Sequence, residues 1–384
     1  MTAAGNIYIC LTHDAGQVRE LAIQSTRPRG LTQLFNNKTP EHLLTLLPLL
    51  FTLCANAQAF SALLVCRSAL DLSDEAEADK ARECLVRLET LREHFWRIIV
   101  DWPVLLDHQA DKTELARFLA LEREAKAALF KNGEAFKLSS CFLGYSNRWH
   151  DLVADVIALL ARVLFEGDWL HFAELSHAEQ LAAWVHQHSC LPAQLLKTLH
   201  ANDWLTVGHH EHAHLPIHAL DQLHGQLQHA DLQAFCQQPS WYQTPVETTP
   251  LSRLQQQPLV AALTQRYGHG LLTRFCAVLL DIVDCLKRLQ QPDLSVSCYK
   301  TGAVRFAEVP AARGLLIHRL ELQDGLVYDY QIIAPTEWNF HPNGVLAASL
   351  RNLSAANATE LKQQVHWLVH AIDPCVAYSL ILKP

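Results

Sequence analysis

Apolar and polar positions alternate along Asn6–Thr12 and again along Gln17–Ser25, on either side of Asp14-Ala15-Gly16. A period of two around a turn triplet predicts a β-hairpin. The pattern then changes. From about Pro40 to Leu70 the apolar residues recur at helical intervals. After the acidic segment Ser73–Asp79, which Ser73 is placed to cap, Leu85, Leu88, Leu91 and Phe95 keep that spacing toward Trp102-Pro103. The reading is helical from about Lys112 to His200, with Asp151–Phe165 apolar enough for burial on several faces. Gly268-His269-Gly270 opens another apolar helix, Leu271–Leu289. Period two returns near the C-terminal end. Ala303–Glu308, Gly314–Leu322 and Leu326–Ile333 read as strands, with Asp324-Gly325 a hairpin turn. Pro335–Gly344 is a turn-rich loop, and a helix is expected from about Thr359 to His370. Asp373-Pro374 reads as the start of a last short helix that ends the chain. Together these segments predict an α+β fold, mainly helical, with small antiparallel sheet regions near the N-terminus and at about 303–333.

The chain has 384 residues, half of them hydrophobic (50%), so one large domain over 1–384 is expected. Charged residues are 18%, below the usual ~25%, so more of the chain than usual is interior or interface. The segment 205–245 is rich in His and Gln and reads as an insertion or a surface helical hairpin. A formal net charge of −8, with no basic stripe carrying aromatics, argues against nucleic acid or an anionic membrane as partner. The start Met1-Thr2-Ala3-Ala4-Gly5 shows no secretory signal. Leu43–Leu70 is interrupted by Pro48, Asn56, Gln58 and Arg67, which favours a core helix over a membrane span. The expected location is cytoplasmic. The 11 cysteines include no Cys-x-x-Cys pair, so any metal chemistry must join cysteines from distant parts of the chain.

Two such segments stand near opposite ends. Asp373-Pro374-Cys375-Val376-Ala377-Tyr378-Ser379-Leu380-Ile381 resembles the Asp-Pro-Cys-x-x-Cys-x-x-His signature that closes the large subunit of [NiFe]-hydrogenases. Phe51-Thr52-Leu53-Cys54-Ala55-Asn56-Ala57-Gln58 resembles that family's other signature, Cys-Gly-x-Cys-x-x-x-His. Between them, Glu308–His318 looks like the Pro-Arg-Gly segment whose arginine overhangs the metals, and Ala334–Phe340 like the Pro-Thr-x-Trp-Asn loop. Glu247–Arg253 is a weaker echo of a segment that precedes these. The resemblance is clear over roughly 45–100 and 245–384 and weak between. It implies a large-subunit-like fold.

The departures decide what function the resemblance implies. Each cysteine pair is reduced to one: Phe51 stands in place of the first cysteine and Tyr378 in place of the last. Gln58 and Ile381 replace the two histidines, Ala312 replaces the proline before the arginine, and Gly5-Asn6-Ile7-Tyr8 replaces an Arg-x-Glu-Gly segment. The pattern is similar to the HupK/HoxV-type hydrogenase expression/formation proteins. That resemblance implies a maturation scaffold without enzymatic activity. It would carry the iron fragment Fe(CN)2(CO) on Cys54 and Cys375, without nickel, toward a hydrogenase large subunit. HypC-like and HypD-like maturation proteins are the other implied partners. A metal-free docking protein and an atypical active nickel-iron subunit are the competing readings.

Soft thiolates suit low-spin iron carrying cyanide and carbonyl ligands, which makes Cys54 and Cys375 the candidate ligands. If a helix starts at Asp373-Pro374, Cys375 lies in its first turn, where the dipole favours a thiolate. Cys54 alone, in an apolar stretch, would read as a buried hydrophobe. Arg313 reads either as a donor to cyanide nitrogen or as a salt-bridged arginine in a strand. Asp373 reads first as a helix cap and second as a neighbour of the site. Gln58 is placed to hydrogen-bond a thiolate in a histidine's stead. Trp338 and Asn339 read as loop structure, and His318 as an ordinary strand histidine. His209-His210-Glu211-His212-Ala213-His214, with His218, reads either as a nickel or zinc site or as a solvated segment of a chain with 22 histidines.

Overall fold

A computed structural model describes residues 5–228 and 230–384. The expectation drawn from Met1–Ala4 lies outside the described residues. The N-terminal hairpin is present as β1 (Asn6–Asp14) and β2 (Gln17–Ser25), paired antiparallel. Ile7, Ile9 and Leu11 of β1 are buried, as period two requires.

The helical region from Pro40 is not one helix. It divides into α1 (Pro40–Leu50) and α2 (Ala55–Ala69), joined by a 3-10 turn at Thr52–Cys54 and bent by 106°. No single helix among the described residues is long and apolar enough to cross a membrane. α2 is buried along most of its length and packs on α3 (Ala76–Trp96). α3 begins after Glu75 rather than at the expected Ser73 cap. It is buried on almost every face, charged positions included: Asp79, Arg82, Glu83, Glu89, Glu93 and His94 are all covered. Helices follow at Thr113–Leu129, Asn147–Phe165, Ala178–Gln187 and Leu191–Ala201, with irregular chain at 130–146 where the pattern predicted continuous helix. The central Leu271–Gln290 helix runs through the core.

The second sheet has four strands in sequence order: β3 (Ser297–Thr301), β4 (Val304–Ala311), β5 (Gly314–Gln323) and β6 (Leu326–Ile333). Only β3 was not expected. α2 crosses one face of β4 and β5. The segment 205–245 covers part of the sheet. Its Leu215, Leu220, Leu223 and Leu227 form a second apolar cluster with Phe306, Leu315, Ile317 and Trp338.

The C-terminal expectation fails. The helix Ala358–Ile372 ends where the last helix should begin, and the chain continues as β7 (Ala377–Lys383). β7 pairs parallel with β1, so the first sheet has the order β2-β1-β7. Tyr378, Leu380 and Leu382 pack on the core from one side of this strand. That alternation is a strand's period, and β1 had a free edge to receive it.

Candidate functional site

Cys54 and Cys375 line one cavity of about 750 Å³. Cys54 sits at the break between α1 and α2, in a non-helical conformation. The carbonyl just before it, on Leu53, accepts from Arg92 of α3. The free N–H groups of α2 are taken by Glu89, whose carboxylate accepts from Asn56 N at 2.7 Å and Ala57 N at 3.1 Å. A carboxylate at a helix N-terminus complements the dipole. Burial nevertheless raises the Glu89 carboxyl to about 7, against the opposing pull of Arg92 and the two N–H donors.

Cys375 reaches the cavity on the three-residue link, Pro374–Val376, between Asp373 and the start of β7. It is not in a helical first turn, so the dipole argument for its thiolate does not apply. Asp373 is likewise not an N-cap. It terminates the preceding helix with φ 62°, and its carboxylate lies between Arg97 at 2.5 Å and Arg313 at 3.1 Å. A carboxylate at a helix C-terminus is opposed by the dipole, and the two guanidinium groups offset that. Arg97 also donates to the Pro374 carbonyl at 2.9 Å, which fixes the residue preceding Cys375.

Arg313 lines the same cavity and is 4% exposed. It occupies the turn between β4 and β5 and pairs with Glu93 at 2.9 Å. Burial works against its charge, but Asp373, Cys375 and Glu93 more than offset it, so its basicity is raised well above the ordinary value. The two readings of Arg313 merge: it is an ion-paired arginine and it faces the cysteines.

The turn that presents Arg313 is held from three directions. Arg253 donates to the carbonyls of Ala311 at 2.9 Å and Ala312 at 3.4 Å. Asn339 donates to the carbonyls of Thr248 at 2.9 Å and Arg313 at 3.0 Å. Thr248 Oγ1 accepts from Leu315 N at 2.8 Å. The segments Glu247–Arg253, Glu308–His318 and Ala334–Phe340 thus meet at one point, and Asn339 is structural there, as its residue type suggests.

Cys54 has Gln58 beside it, whose Nε2 donates to Sγ at 3.6 Å. Burial first, then the charges of Cys375 and Glu89, push the Cys54 thiol up to about 12; Gln58 and Arg313 act in the opposite direction. Without a cation, Cys54 is therefore a neutral thiol, and a bound soft metal would displace its proton. The two positions that lack cysteine are filled by rings. Phe51 is part of the cavity wall. Tyr378 turns to His366 and His370, at 2.7 and 3.3 Å from its hydroxyl. Ile381 lies on β7, opposite Cys10.

Glu89, Glu93, Arg92 and Arg97 were not singled out from the sequence. Glu89 and Glu93 share a helix face by their spacing of four, which is the one signal available. In the His209–His218 run the rings of His210 and His212 lie 5.6 Å apart and His209 and His214 both meet His269, while His218 turns away to pair with Glu308. Among the described residues no group of three or more His, Cys, Asp or Glu side chains is arranged to hold a metal ion.

The sequence pattern of the family described as "Nickel-dependent hydrogenase" matches residues 284–380. The [NiFeSe] hydrogenase of Desulfovibrio vulgaris Hildenborough superposes with a TM-score of 0.63 at 12% identity, covering 94% of each chain. The chain thus has the fold of the nickel-dependent hydrogenase large subunit and resembles that family in sequence over residues 284–380. Its full-length likeness is to the HupK/HoxV-type hydrogenase expression/formation proteins. It is 28% identical to HupV of Azotobacter chroococcum over 98% of both chains. It is also 28% identical to HoxV of Cupriavidus necator, over 99% of this chain and 97% of that one.

Proposed function

We propose that this protein acts in hydrogenase maturation as a carrier of the Fe(CN)2(CO) fragment, bound through Cys54 and Cys375 and passed toward a hydrogenase large subunit. The observation that carries the reading is the convergence of these two cysteines, from opposite ends of the chain, on one cavity beneath a buried arginine. The fragment is cargo rather than a resident cofactor. Soft thiolates suit low-spin iron. Two of them with three diatomic ligands leave at most one position open, and fewer protein ligands favour release. Arg313 supplies rigid N–H donors at the cavity wall, suited to cyanide nitrogen.

Nickel has no place in this reading, because Phe51 and Tyr378 occupy the positions of the two further thiolates. The protein accordingly turns over no hydrogen. It works in the cytoplasm, receiving the fragment from HypC-like or HypD-like donors. The names of its full-length relatives support the maturation role, and the cysteine geometry supports the cargo.

Cells lacking the native gene and supplied with the double variant Cys54→Ala/Cys375→Ala test the reading. Hydrogenase activity and iron content of the large subunit are expected to fall to the level of the deletion. Full maturation with the double variant, at normal protein abundance, would replace cargo carriage by metal-free docking of maturation factors.

A further inference from the structure

Behind Cys54 lies a chain of hydrogen bonds that the cargo reading does not use. Gln58 Nε2 faces Cys54 Sγ at 3.6 Å. Gln58 Oε1 faces His318 Nε2 at 2.9 Å, and His318 Nδ1 faces the Tyr330 hydroxyl at 2.6 Å. Gln58, His318 and Tyr330 are all 2% exposed or less, so no solvent competes for these bonds. Three elements build the chain. Gln58 is one turn inside α2. Leu320 and Tyr330 are cross-strand partners in β5 and β6, and His318 is two residues from Leu320, so all three side chains share one sheet face. α2 packs over that face. Phe35 meets the Tyr330 ring edge-on at 5.5 Å and fixes it from the far side.

The order of donors along this chain is forced. An amide oxygen carries no hydrogen, so with Oε1 toward His318 the imidazole Nε2 must donate. Burial keeps the ring neutral, with its basicity pushed down to about 3. A neutral imidazole has one N–H, so Nδ1 is an acceptor and the tyrosine hydroxyl must donate to it. Read in the other direction, a Tyr330 hydroxyl that donates to Nδ1 holds the Nε2–H tautomer, that tautomer holds the amide orientation, and the amide presents N–H to sulfur. If the amide is turned over, its oxygen faces Cys54 and repels a developing thiolate.

We propose that His318 and Tyr330 are positioning residues that hold the Gln58 amide with its N–H donor toward the Cys54 sulfur in the buried cavity. Neither residue touches the cargo; both act through Gln58. The proposal deepens the carrier reading by assigning the support of one of its two ligands. Its geometry stands whether or not iron is ever bound.

The test uses metal-free, full-length protein with ¹⁵N-labelled histidine. Long-range ¹H–¹⁵N correlations report the tautomer of His318, assigned by the signal lost in His318→Asn. The expected result is Nε2–H at neutral pH, with Tyr330→Phe giving a mixture of the two tautomers. In parallel, alkylation of Cys54 by iodoacetamide is followed by peptide mass spectrometry, with Cys375 as internal reference. Gln58→Met is expected to slow Cys54 roughly tenfold relative to Cys375, the scale of one lost hydrogen bond to a charged group. Tyr330→Phe, which keeps the ring and its packing, should slow it in the same direction by less. An Nδ1–H tautomer in the wild-type protein overturns the proposal, as does a Tyr330→Phe protein with wild-type tautomer and wild-type Cys54 rate. The tautomer in wild-type protein decides even where a variant fails to fold. Because no cargo is present, failure here leaves the carrier reading untouched, and absence of bound cyanide and carbonyl elsewhere leaves this relay untouched.

Discussion

Gly314 shows how strictly single positions are fixed around the cavity. Its φ is 136°, and a Cβ added there would overlap the Thr248 carbonyl oxygen. Only glycine combines that conformation with so close an approach. The residue before it is Arg313, so the glycine sets where the guanidinium points. Gly314→Ala is expected to lower stability by about 2–4 kcal/mol. Urea unfolding would show this as a fall in midpoint at constant slope, whereas an unchanged midpoint would mean that the turn relaxes freely. At this scale the sequence was legible where a motif named the residue: Cys54, Cys375, Arg313, Asp373 and Gln58 all fall in or beside the site. It was not legible for Glu93 and Arg97, because a charged residue on a helix looks the same whether it meets water or a buried guanidinium. Asp373 was found but misread. An Asp-Pro pair suits a helix start, and here Asp373 instead ends the preceding helix in a left-handed conformation between two arginines.

Elements decide how the two cysteines reach the cavity. β1, β2, β4, β5 and β6 are legible from alternation, and β3 and β7 are not. Nor is the break between α1 and α2. The apolar spacing runs through it, and the carboxylate that caps α2 comes from Glu89 of α3, distant in sequence. β7 is the reverse case. Tyr378, Leu380 and Leu382 alternate as a strand requires, while Asp373-Pro374 carries a helix-start signal. Packing against β1 is what makes the strand win. This gives Leu380 and Ile381 opposite weights: Leu380 packs on the core, and Ile381 is 41% exposed. Leu380→Asp is expected to destabilise by on the order of 2–3 kcal/mol by burying a charge against apolar surface. It should also speed hydrogen exchange along β7 and alkylation of Cys375. Ile381→Thr should change neither by more than a small factor. Equal behaviour of the two variants would show that β7 does not hold Cys375 in place.

At the scale of the whole molecule, the fold brings together two residues more than three hundred positions apart, Cys54 and Cys375. Nothing in periodicity or composition announces such a meeting; only the paired motifs do. The fold around them is that of the large subunit, while Phe51 and Tyr378 stand where the resemblance would place two further cysteines. The reading proposed from that combination is a place for iron without a place for nickel. The infrared spectrum of protein purified without oxygen, from cells producing the maturation machinery, tests this most directly. The account predicts two cyanide bands and one carbonyl band in the metal-ligand stretching region, absent when either Cys54 or Cys375 is changed to Ala, and no nickel by elemental analysis. A silent region in folded protein made alongside its donors, or bands that survive both cysteine changes, would contradict it.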